Sequence, residues 1–195
     1  MTDTTTDTRG DDARAVTQAV SAWVERVILG LGLCPFAAAP WREGRVRVHV
    51  SASADTQALL EDLHDELARL DRTPAARLET TLVVIPHMLG DFETYNAFLD
   101  LVDTLIERFG WEGVYQVASF HPDYRFADAP PGAVDHLTNR SPYPVFHLLR
   151  ESSVGVAVAG FDTEAIPARN VARLRGLPPG RLRELFPGVY ADEGG

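Results

Sequence analysis

Residues 118–151 read ASFHPDYRFADAPPGAVDHLTNRSPYPVFHLLRE. The stretch opens at the end of a β-branched and aromatic run, 114–120, that predicts a strand. Further on, Ser141 followed by Pro142 has the pattern of an N-cap and a first helical position, where proline is tolerated because that N–H has no partner inside a helix. The stretch is therefore expected to join a strand to a helix that runs past Glu151, through a loop rich in proline and glycine. His121, Asp123, Asn139, Arg140, His147 and Glu151 all lie within it. Groups able to bind metals, move protons or hold anions, crowded between two regular elements, mark the expected active region.

Working outward, Val16, Val20, Trp23, Val24, Val27, Ile28 and Leu31 recur at steps of three and four and predict an amphipathic helix ending near Gly30 or Gly32. Cys34 falls in the turn that leaves it, where Pro35 prevents continuation. RVRVHV, 45–50, alternates like a half-buried strand, and Ser53 or Asp55 can cap a following helix with a leucine stripe from Leu59 to Leu70. TTLVVI, 80–85, reads as a more deeply buried strand. Asp91 caps a long helix that Gly110 stops. After residue 151, Asp162 marks the cap of a helix through 170–175, and Pro178 and Pro179 precede a short last one. This order predicts an α/β domain: a three-stranded or slightly larger, mainly parallel sheet with flanking helices, an N-terminal helix and a C-terminal helical segment. A ferredoxin-like α+β arrangement is the alternative. Residues 1–9 are expected to form a disordered tail, and 10–190 a single domain. In a parallel sheet, ligands gather beyond the carboxyl ends of the strands, the rim that His87 and His121 would share.

Composition narrows the function. With 195 residues, 45% of them hydrophobic and 24% charged, the chain has the balance of one soluble domain. The polar, acidic opening lacks a secretory pattern, no run approaches the length of a membrane span, and a lone cysteine fits a reducing compartment, so a cytoplasmic location is expected. There is no lysine, which excludes Schiff-base chemistry, a lysine-bound pyridoxal cofactor and a P-loop for nucleotides. A net charge of -10 argues against nucleic acid and anionic membranes as partners but leaves room for a local arginine site. Oligomeric state is not legible.

His147 and Glu151 are four residues apart, so on the predicted helix they project from one face. With His121 they would make a set of two histidines and one carboxylate, suited to Fe(II) with open positions and usable by Zn(II). Local hydrogen bonding or capping is the plainer role for the pair. Cys34 is a candidate catalytic thiol or a further ligand, and equally a small buried hydrophobe. Asn139 and Arg140, just ahead of the predicted helix terminus, would hold a carboxylate or phosphate, with Tyr143 hydrogen-bonding in the same site. Alternatively, Arg140 pins the loop through Asp123, Asp128 or Asp135. The expected function is a metal-dependent enzyme, using Fe(II) or Zn(II), that acts on a small anionic molecule. Two alternatives stand beside it: a non-catalytic module binding a small anion or a partner, and a metal-free cysteine-dependent enzyme.

LCPFA at 33–37, ETT at 79–81, DFETYNAFLD at 91–100, ASFHPDYRFA at 118–127, TNRSPYPVFHLLRE at 138–151 and IPARN at 166–170 occur in an order that resembles the bacterial family catalogued as domain of unknown function 1415. The resemblance spans 23–174. It implies a single bacterial domain and brings no activity, cofactor or catalytic residue with it.

Overall fold

A computed structural model describes residues 5–158 and 165–189, with side chains over 12–155 and 165–189. The first helix, α1, covers Thr5–Trp23 and runs directly into a π-helical stretch, Val24–Leu29. It thus takes in residues 5–9, placed in the expected tail by their composition; residues 1–4 lie outside the described residues. The remaining helices are α2 (Ala38–Arg42), α3 (Thr56–Arg72), α4 (Phe92–Arg108), α5 (Glu151–Val158), α6 (Ala165–Arg175) and α7 (Pro179–Leu185), with 3-10 turns at Val134–Asn139 and Pro187–Val189. The cap expected at Asp162 lies outside the described residues. Asp55 and Asp91 do cap α3 and α4, their carboxylates accepting the N–H groups of Ala58 and Thr94 at 2.9 Å each. At Asp91, the Thr94 N–H bond and a second from the Thr94 hydroxyl hold the carboxyl below its ordinary pKa.

Four strands, β1 (Val46–Val50), β2 (Thr80–Val84), β3 (Tyr115–Phe120) and β4 (Val145–Arg150), form one sheet in the order β1-β2-β4-β3. β1 and β2 pair in parallel, while β4 pairs antiparallel with both β2 and β3. The three strands expected from the sequence all run the same way, but β4 lies reversed between the second and third. The sheet is therefore mixed rather than mainly parallel.

The segment expected as a helix from Pro142 is β4. Pro144 pushes Tyr143 toward extended backbone, and Pro142 is too close for a helix to start between them. The strand is buried on both faces, so VFHLL shows no alternation in hydrophobicity, and an apolar run this short is equally compatible with a helix or a central strand. Register makes the faces explicit. Phe146 and Leu148 join Leu59, Leu63, Leu67, Tyr95 and Phe98 in the core beneath α3 and α4. Val145 joins Leu82, Val84 and the α1, α6 and α7 residues in the core on the opposite face. Arg150 closes the strand by donating to the carbonyls of Leu70 and Thr73, where α3 ends, and of Leu78, just before β2, and its guanidinium lies 5.8 Å from the Tyr115 ring centroid. No helix among the described residues is long and apolar enough to cross a membrane.

Candidate functional site

On the α1 side of the sheet, the core does not close. A cavity of about 840 Å³ opens between β4, β3, the turn after the π-helical stretch, and α6. Its walls are aromatic where the elements meet, with Trp23, Phe36, Trp41, Phe120 and Phe126 contributing rings or edges. Among the polar residues that line it are Cys34, Asn139, His147 and Asn170, with Gln116, Thr138, Ser152 and Ser153 beside them. A second depression, along the outer side of α6, is shallow and carries the exposed Arg175–Asp135 ion pair at 2.9 Å. Among the described residues that line it, none has a buried polar atom without a partner.

The turn that presents Cys34 is built from backbone geometry. Gly32 takes a φ of +57°, and the N–H of Leu33 reaches back to the carbonyl of Ile28 at 2.9 Å. The turn is then clasped from α6. Arg173 donates to the carbonyls of Leu31 and Gly32, and the Asn170 amide donates to the Leu33 carbonyl at 2.8 Å. Cys34 emerges from this clasp partly exposed, facing the cavity.

His147 sits in the middle of β4, opposite Leu82 on one side and Ala118 on the other. Its ring projects to the cavity face, 6.3 Å from the Phe120 ring. The Nε2 atom is buried and has no hydrogen-bond partner. Burial among apolar groups lowers its pKa from 6.5 to about 4, so the imidazole is neutral at physiological pH.

The three expected metal ligands are not brought together. His121 lies on the opposite face of the sheet, fully buried, its ring 5.0 Å from that of Tyr95 and 5.4 Å from that of Phe92. Both its nitrogens are engaged: Nε2 donates to the Leu89 carbonyl at 3.0 Å and Nδ1 accepts the Asp123 N–H at 2.9 Å. Burial lowers its pKa as well. Glu151 is the first residue of α5, and its own N–H is bound to the Val114 carbonyl at 2.9 Å. The expected set depended on a helical spacing that β4 does not have. Among the described residues, no three histidine, cysteine, aspartate or glutamate side chains converge so as to hold a metal ion.

The expected anion site is also rearranged. No helix begins at Pro142, so no helix terminus stands behind Asn139 and Arg140. Asn139 lines the cavity, but its amide donates to the Ser119 carbonyl at 3.1 Å and its side-chain oxygen accepts from Thr138 at 3.1 Å. Arg140 pins the loop through the Tyr124 carbonyl, 3.4 Å from Nε, while its own carbonyl accepts the Trp23 indole at 2.9 Å. Tyr143 packs against the core beside α1. His136, buried like His121, repeats the same device: Nδ1 accepts the Phe126 N–H and Nε2 donates to the Pro130 carbonyl. Much of the polar content of residues 118–141 thus stabilises a long loop from within.

Sequence reasoning overlooked Asn170 and the aromatic walls. Asn170 is only 9% exposed; with its amide donating to Leu33, its Oδ1 is left buried without a partner. The signal available was the IPARN segment, whose polar asparagine stands on a helix that buries its neighbour Leu174. The aromatic residues are dispersed over more than a hundred positions and share no spacing.

No curated protein and no solved structure matches the chain. A family model described as "Protein of unknown function (DUF1415)" matches residues 15–184, nearly the whole of the folded region just described, and the chain belongs to that family.

Proposed function

We propose that the protein binds a small, mainly apolar molecule in the cavity between β4 and α6, with His147 and Asn170 as its polar contacts and the Cys34 thiol against it. The observation that carries this reading is the His147 Nε2 atom: a buried, neutral imidazole nitrogen without a partner, on the wall of a cavity large enough for a ligand. An unpaired buried polar atom costs about 1–3 kcal/mol, which a bound molecule carrying a matching group would offset. Cavities of this size, mainly apolar with a few convergent polar groups, are the common form of small-molecule sites. A metal-assisted reaction through His121, His147 and Glu151 would require His121 to leave Leu89 and cross the sheet, so it is not the reading this geometry supports.

The neutral, apolar dye N-phenyl-1-naphthylamine tests the proposal. Saturable enhancement of its fluorescence with one site per chain is expected. Ala118→Phe, which places a ring into the cavity from β3 beside His147, should abolish the enhancement while the circular dichroism spectrum stays native. Equal dye binding by the filled variant would contradict the assignment.

A further inference from the structure

We infer that the ligand of this cavity is uncharged and carries at least one hydrogen-bond donor, a hydroxyl or N–H, that engages the Asn170 and His147 side of the wall. The inference rests on the cavity being a binding site and specifies what it selects. Two observations carry it: the engagement of the charged groups around the cavity, and the buried atoms His147 Nε2 and Asn170 Oδ1, which with Arg150 Nε are the atoms of the described lining residues that are buried without a partner.

The charged residue types among the described lining residues are Glu79 and Arg150. Glu79 and the terminal nitrogens of Arg150 are already engaged. Glu79 forms an ion pair with Arg45 at 2.5 Å. The Arg150 guanidinium is turned to the other face of the sheet, where it holds the carbonyls at the end of α3, that of Leu78 and the Tyr115 hydroxyl. His147 is neutral because its surroundings disfavour a charge, and they would disfavour a ligand's charge for the same reason. A carboxylate or ammonium entering between Trp23, Trp41 and Phe120 would lose its hydration, while Glu79 is paired with Arg45 and the terminal nitrogens of Arg150 are held by carbonyls and the Tyr115 hydroxyl.

The orphaned atoms say what the neutral ligand must offer. Asn170 Oδ1 can only accept, because the amide nitrogen of the same group is committed to the Leu33 carbonyl. His147 Nε2 donates or accepts according to its tautomer. A molecule with no donor leaves Oδ1 unsatisfied, whereas a hydroxyl or N–H can donate to Oδ1, or to Nε2 where that nitrogen is the acceptor. Both atoms are covered in the chain as it stands, so the ligand's polar end presses between the neighbouring apolar side chains to reach them. Discrimination then has a built-in direction, since a site shaped around a buried polar group rejects an analogue that lacks the matching group more strongly than it rejects a change in apolar bulk.

Three ligands of similar shape separate these requirements: 4-propylphenol, 4-propylanisole and 4-propylbenzoate, each titrated against the bound N-phenyl-1-naphthylamine. The phenol is expected to displace the dye about tenfold more tightly than the anisole, and the benzoate to be weaker than the phenol by at least about tenfold. In His147→Phe or Asn170→Ala, the phenol should fall to the affinity of the anisole, with the anisole's own affinity showing that the cavity has survived the substitution. Equal affinities of phenol and anisole in the native chain, or a phenol advantage that persists in both variants, would overturn the donor requirement. A benzoate that matches the phenol would overturn the exclusion of charge. Failure of the native chain to bind the dye would overturn the cavity reading itself, a result distinct from either.

Discussion

His121→Ala is expected to lower the free energy of unfolding by about 3 kcal/mol, read as a fall in the urea midpoint at constant slope. His121 is wholly buried and does two jobs at the end of β3. It holds the Leu89 carbonyl at 3.0 Å, and Leu89 is the one residue other than glycine, among those described, with a positive φ, at 56°. It also accepts the Asp123 N–H at 2.9 Å, turning the chain into the long loop. Alanine would leave a carbonyl and an N–H without partners, and a void beside Phe92 and Tyr95, in contact with the stacked Tyr95–Phe146 pair. Two lost hydrogen bonds at about 1 kcal/mol each, plus a small cavity term, set the estimate. The folded fraction should still bind N-phenyl-1-naphthylamine as the native chain does, because the residue faces the other core. A variant that unfolds at the native midpoint would contradict the placement of His121.

The second large effect is on acid stability. His147 has a folded pKa of about 4 against an ordinary value of 6.5, so between those values the unfolded chain binds a proton that the folded chain does not. The corresponding stabilisation is fully present above about pH 6.5 and is lost as pH falls from there toward 4, about 3 kcal/mol in total. His121 shifts in the same direction, so the whole-protein curve contains both contributions. His147→Phe isolates one of them. The variant should equal or exceed the native chain in stability at pH 7, since it removes a buried atom with no partner, and its advantage should widen on acidification. A difference between the two chains that stays constant from pH 7 to pH 4.5 would show that the imidazole is not held neutral.

The fold was legible where periodicity and turn chemistry agreed. The stripes of α1, α3 and α4, the caps at Asp55 and Asp91 and the strands β1 to β3 follow from local pattern, each apolar position needing only to know its own helix or strand. β4 did not, because a strand apolar on both faces carries no period, and Ser141-Pro142 imitates a helix start. That one ambiguity propagated into the site. As a helix, VFHLLRE aligns His147 with Glu151; as a strand, it sends His147 to one core and places Glu151 beyond the sheet. The face of the sheet that His121 occupies could not be read either, since it depends on which neighbour β3 pairs with. Cys34, Asn139 and His147 were singled out by residue type and do share one cavity, whereas Asn170 and the ring-lined walls come from six separate elements and loops that only the tertiary fold assembles.

The most direct measurement is the rate at which a neutral thiol reagent, monobromobimane, labels Cys34, the single cysteine of the chain, with and without saturating N-phenyl-1-naphthylamine. Binding in the cavity should slow labelling by about tenfold in the native protein, while leaving the rate of the urea-unfolded chain unchanged. An undiminished rate in the folded protein, with the dye demonstrably bound, would place the ligand elsewhere and contradict the assignment of this cavity.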